Sequence, residues 1–183
     1  MAQTRAGYLH VLKSHPDLRL DDPLIHLPLF FVKGALALDL LRERLGPEPF
    51  RRGLRRYFEA GDGDQRSLDD LAAAYREETG EELGWFFPQW WQREGHPILE
   101  VELGEAPPGA AGTQALVVVR QVQEGEAYRL RLPLLLRGAS ANDAHVVELR
   151  TREDRFLLDV SGAPLRVVAD PEGRMPIEWR SSD

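Results

Sequence analysis

The hydrophobic period changes once along this chain, near His96-Pro97. Before that point apolar residues recur at helical spacing; after it they alternate. The pattern predicts an α+β fold in two parts. An N-terminal α-helical bundle occupies residues 1–95, and an antiparallel β-sandwich occupies residues 96–183, with an irregular tail after Pro171.

Within the first part, residues 4–14 form a first helix, ended by His15-Pro16, and residues 16–28 read as a Pro- and Asp-rich loop. Residues 29–45 are apolar almost all round, with Phe31, Ala35, Leu38, Leu41 and Leu45 at helical spacing. Such a helix needs cover on every side, so an exposed apolar patch, or a homodimer that covers one, is expected around it. Gly46-Pro47 stops it and opens a helix to Ala60, with Phe50, Leu54, Tyr57 and Phe58 on one face. The opposite face carries Arg51, Arg52, Arg55 and Arg56, a solvated stripe that is also a candidate interaction surface for an anion or an acidic partner.

After the turn Gly61 to Asp64, Ser67 caps a third helix, with Asp70 three residues on as in a capping box. Leu68, Leu71, Ala72 and Tyr75 are its buried stripe, and Gly80 ends it. A short fourth helix aligns Leu83, Phe86, Phe87, Trp90 and Trp91, with Pro88 expected to kink or shorten it. Trp85, Phe86, Trp90 and Trp91 are expected to build the interface between helices and sandwich. From Ile98 on, strands are predicted over residues 98–103, 114–122, 127–136, 145–150, 155–160 and 165–170, separated by turn clusters. The third is the clearest: Tyr128, Leu130, Leu132, Leu134 and Leu136 face one way, Arg129 and Arg131 the other.

Charge and composition narrow the function. Thirty acidic and 23 basic residues give a net charge of -7, against the basic surface that non-specific nucleic-acid binding needs. No apolar run approaches the ~20 residues of a bilayer helix, so no membrane insertion is expected. Without cysteine there is no disulfide, iron–sulfur cluster, thiolate zinc site or cysteine nucleophile. Nothing near Met1 reads as a secretory leader, which makes the cytoplasm the default location.

No catalytic constellation emerges. Of the five histidines, His10 and His15 are five apart, the wrong spacing for two ligands on one helical face. His10, His15, Asp17, Asp21, Asp22 and His26 are a loose candidate cation group, with a solvated polar loop as the simpler reading. His96 reads as a turn residue between Gly95 and Pro97, and His145 as a strand residue. No nucleophile elbow, phosphate loop or dinucleotide fingerprint is present.

Two stretches go further than periodicity. The first is Phe31-Val32-Lys33-Gly34-Ala35-Leu36-Ala37-Leu38, followed by Leu40-Leu41-Arg42, Leu45-Gly46, Phe50 and Leu54. The second is Ser67-Leu68-Asp69-Asp70-Leu71, followed by Gly80, Leu83, Trp85-Phe86-Phe87, Gln89-Trp90 and Gly95-His96-Pro97. In order and spacing they resemble the aminopeptidase N family of zinc metallopeptidases over roughly residues 29–170. The resemblance implies the end of a thermolysin-like catalytic domain running into a small β-sandwich.

It does not carry the chemistry with it. The family's His-Glu-x-x-His helix and Gly-x-Met-Glu-Asn strand occur nowhere in these 183 residues. The family's Tyr-x-Lys-Gly begins with a tyrosine that donates to the tetrahedral oxyanion; its matching position here is Phe31, which has no hydroxyl to donate. The resemblance therefore implies a non-catalytic C-terminal portion, with no catalytic residue and no cofactor or metal on this chain. Zinc is expected only in a full-length member. The partner implied is a missing N-terminal catalytic half or another protein. The alternative is a free-standing interaction module descended from that family, and a third reading places an enzyme site in the loop over residues 10–26.

Overall fold

The structure, a computed structural model, describes residues 27–60, 67–105, 108–109 and 113–181. The first predicted helix, most of the loop after it, and the candidate cation group lie outside them. The described residues divide into two compact units, one ending at Gly95 and the other beginning at His96.

The helical unit starts with α1 (Leu27–Leu45), two residues earlier than the sequence pattern suggests. Pro28 does not prevent this, because the first turn of a helix has no use for its missing N–H. The buried stripe of α1 also differs from expectation. It runs through Lys33, Leu36, Ala37, Asp39 and Leu41, while Ala35 faces solvent. In an almost uniformly apolar helix the spacing cannot say which side is innermost. Among the described side chains of α1, residues 33–45, no large apolar residue is exposed.

Gly46 links α1 to α2 (Pro47–Glu59), and Pro47 sits at the start of the new helix. Helix α3 (Leu68–Thr79) opens with the expected capping box. Ser67 Oγ accepts the Asp70 N–H at 3.1 Å, and Asp70 Oδ2 accepts the Ser67 N–H at 2.8 Å. Gly80 closes α3 at φ +72°, a left-handed conformation that glycine adopts without strain. The α2–α3 contact depends on a second glycine. Tyr75, fully buried, lays its ring over Gly53, where an added Cβ would lie 2.2 Å from Cδ1.

The fourth helix is short, as expected, and takes the form of a π-helical turn, Pro88–Gln92. The Arg93 N–H donates to the Pro88 carbonyl at 3.0 Å, so Pro88 contributes its carbonyl and needs no N–H. Phe86, Phe87 and Trp90 are buried around it. Phe86 contacts both Phe87 and Trp90, with ring centroids 5.6 and 6.4 Å away.

The second unit holds seven strands: β1 (Ile98–Gly104), β2 (Gln114–Gln121), β3 (Leu130–Gly138), β4 (Asn142–Leu149), β5 (Glu153–Asp159), β6 (Pro164–Ala169) and β7 (Glu178–Ser181). They form a four-stranded sheet ordered β5-β2-β1-β7 and a three-stranded sheet ordered β4-β3-β6. Every pairing is antiparallel except β1 with β7, which is parallel. Alternation selects the buried residues. Leu99 and Val101, Val117 and Val119, Leu130 to Leu136 at every second position, Val147, Leu149, Val167 and Ala169 are all buried.

Two differences from the sequence reading have physical causes. Residues 127–129 are not part of β3, because the Gln121 side chain replaces a strand partner there. Its Oε1 accepts the Tyr128 N–H at 2.7 Å and its Nε2 donates to the Tyr128 carbonyl at 2.8 Å. The tail is not wholly irregular. Asp170, at φ +46°, accepts the N–H groups of Arg174 and Met175 at 2.9 and 3.1 Å. This turn buries Met175 and Ile177 and sends β7 alongside β1. A four-residue strand of Glu, Trp, Arg and Ser carries no alternation to reveal it.

Candidate functional site

Lys33 and the residues around the aromatic turn are the most unusual group in the helical unit. An ammonium buried in an apolar interior must find acceptors. Lys33 is 3% exposed, and its Nζ donates to the Arg93 carbonyl at 2.9 Å, joining α1 to the residue just after the π turn. On the same helix Asp39 pairs with Arg42. Arg44 Nε donates to Glu81 Oε2 at 2.8 Å, and its guanidinium lies 5.2 Å from the Trp85 ring centroid. Together these contacts make a scaffold that fixes α1 against the segment after α3. Phe31 lies in α1 two residues before Lys33.

The arginine stripe of α2 is solvent-facing, as expected, but largely neutralised. Arg51 pairs with Glu48, Arg52 with Glu78 and Arg56 with Glu77, the last two reaching across to α3. Arg55 is exposed. Three of the four guanidiniums are thus engaged by carboxylates.

In the sheet unit His96 is more than a turn residue. Its Nε2 lies 3.0 Å from Glu178 Oε1, tying the start of β1 to β7. His145, read as a strand residue, is in β4, and its buried Nε2 has no hydrogen-bond partner among the described residues. Arg120 bridges Glu102 at 2.8 Å and Glu153 at 2.7 Å, and these carboxylates hold its guanidinium above the ordinary arginine range. Arg155, then Arg120, keep Glu153 below the usual carboxylate range. Ser161 does the same for Asp143 by donating both its hydroxyl and its backbone N–H.

The sequence offered a signal for only one of these contacts. Lys33 is one of two lysines and interrupts an apolar run. The partners Arg93, Glu81 and Glu178 are set by tertiary structure alone.

No family model matches this chain. Among curated proteins it is 30% identical to the aminopeptidase N of Lactococcus lactis subsp. lactis over 95 residues, covering 52% of this chain and 11% of that one. It is 27% identical to the aminopeptidase N of Caulobacter vibrioides over 110 residues (60% and 12%), and 29% identical to that of Escherichia coli over 87 residues (48% and 10%). A solved structure, Legionella pneumophila aminopeptidase A in complex with aspartic acid, superposes over 98% of this chain and 22% of its own, with a TM-score of 0.74 at 18% identity. That likeness establishes the fold.

Over about half of its length the chain is similar in sequence to aminopeptidase N.

It spans about a tenth of the length of the curated aminopeptidase N relatives just described. Among the described residues no three His, Cys, Asp or Glu side chains gather into a set that could hold a metal ion. Among them, too, no helix is long and apolar enough to cross a membrane.

Proposed function

We propose that this chain acts as a non-catalytic C-terminal portion of an aminopeptidase N-like protein. The helical unit is the end of a thermolysin-like catalytic domain and serves as cleft wall. The two sheets close on one another as a sandwich, a reading supported by the matching rows of buried Leu and Val on both. The observation that carries the proposal is a pairing. Sequence kinship to aminopeptidase N covers about half of the chain, yet the 183 residues hold no His-Glu-x-x-His, and Phe31 stands where the family's oxyanion-binding tyrosine would be. Its partner on this reading is a catalytic half carried on another segment or another chain.

The test is turnover of aminoacyl anilides by the purified chain with zinc in excess. The proposal expects no more hydrolysis than zinc gives alone. Hydrolysis that tracks the protein and stops on chelation refutes it. A second reading, a free-standing module that holds an acidic partner through Arg51, Arg52, Arg55 and Arg56, draws on the exposure of Arg55. It expects binding of a polyglutamate peptide that Arg55→Glu weakens.

A further inference from the structure

The outer face of the three-stranded sheet presents apolar side chains beside two unmatched positive charges. On β3, Leu130 to Leu136 point inward at every second position, so Leu135 and Arg137 point outward. Val146 of β4 and Val168 of β6 share that outer face, and Val146 is 58% exposed. At one corner a β-bulge interrupts the register of β3 with β6, which passes from Arg137↔Arg166 to Gly138↔Pro164. The extra residue is Leu165, 75% exposed, the most exposed large apolar residue among those described. A bulge of this kind re-aims a side chain, and here it places Leu165 next to Arg166.

Arg137 and Arg166 are direct cross-strand partners. Their Cβ atoms are therefore ~4.5–5.5 Å apart, a placement in which like charges repel. Neither has a carboxylate partner among the described residues. The contrast within the unit is sharp: Arg120, Arg129, Arg150, Arg155, Arg174 and Arg180 each pair with a glutamate. A carboxylate between the two heads would cancel the repulsion, and an apolar side chain next to it would cover Leu165.

The geometry points to this corner as a docking surface for a protein segment that presents a carboxylate beside apolar side chains. A membrane fits less well, since electrostatic attachment to anionic lipid takes clusters of ~4–8 basic residues, and the chain as a whole carries -7.

The test uses the full chain, isotopically labelled, and two soluble peptides: one alternating leucine with glutamate, and a twin with lysine in place of glutamate. The glutamate peptide is expected to shift the amides of β3 and β6 around Arg137 and Leu165, and the lysine peptide to leave them in place. Arg166→Glu gives Arg137 an internal partner, so it is expected to preserve the fold and weaken the glutamate peptide by about tenfold. Leu165→Ser is expected to weaken it as well. Equal response to both peptides, no response of β3 and β6 to either, or no loss in Arg166→Glu overturns the proposal. Sedimentation of the chain with phosphatidylserine vesicles that Arg166→Glu abolishes would also overturn it, in favour of a lipid surface.

Discussion

The helical unit buries aromatic rings together with Lys33, Asp39 and the Tyr75 hydroxyl, whereas the sheet unit buries mainly Leu, Val and Ala. The difference follows from backbone chemistry. A helix satisfies its own N–H and C=O groups, so a buried polar side chain must look elsewhere. Lys33 reaches the Arg93 carbonyl, while the Tyr75 hydroxyl has no partner among the described residues. In the sheet unit Gln121 and Asp170 are buried because the backbone needs them: each supplies bonds where the ladders stop. His145 Nε2 is the departure from that rule. Buried polar groups thus accompany packing in one unit and complete secondary structure in the other.

Removing the largest buried ring of the helical unit should have the greatest effect. Trp90 is 3% exposed, and Trp90→Ala should cost ~3–5 kcal/mol in denaturant unfolding. An unchanged midpoint would mean that the aromatic turn does not hold its unit together. The counterpart in the sheet unit is Gln121→Leu, which keeps the volume but strands the Tyr128 N–H and C=O. About 3 kcal/mol should be lost, and amide exchange at Tyr128 should accelerate. If the loss is below ~0.5 kcal/mol, the Gln121 amide is dispensable and the contrast between the units fails.

Gly53→Ala is a sharper probe, because a helical Gly→Ala change ordinarily helps. Here the new methyl would run into the Tyr75 ring, so a loss of ~1–3 kcal/mol is expected instead of a gain. Tyr75→Phe should do the opposite and raise stability by ~1 kcal/mol, since it deletes an unpartnered buried hydroxyl. Burial also pushes the Tyr75 phenol up to about 12 from 10.0. Its neutral form is the one the fold favours. That contribution is whole below pH 10 and is lost as pH rises toward 12, so the variant should lose less stability than the parent over that window. The smallest effect belongs to Arg56→Ala, which breaks an exposed pair with Glu77 and should cost ~0.2–1 kcal/mol, less in high salt.

The sheet unit was the more legible of the two in sequence. Period-2 alternation marks Leu130, Leu132, Leu134 and Leu136 without ambiguity, and six of the seven strands fall close to where alternation puts them. The seventh has no alternation and is held by a partner strand 80 residues away, through the Arg180–Glu100 pair. In α1 the opposite problem arises. So many positions are apolar that their spacing does not choose the buried side, and only Lys33, which interrupts the run, stands out. Capping chemistry was readable, since Ser67, Asp70 and Gly80 act locally. The candidate site was readable only as resemblance: the Phe31 to Gly34 and Gly95 to Pro97 segments point to aminopeptidase N, while the contacts of Lys33, Arg44 and His96 depend on partners that local sequence does not name.

The claim that this chain supplies architecture and not chemistry is tested most directly by its affinity for zinc. Equilibrium dialysis of the full chain against micromolar zinc, read by elemental analysis, should leave far less than one ion per chain. One tightly held zinc per chain, whose removal by a chelator abolishes a peptidase activity, would contradict the account.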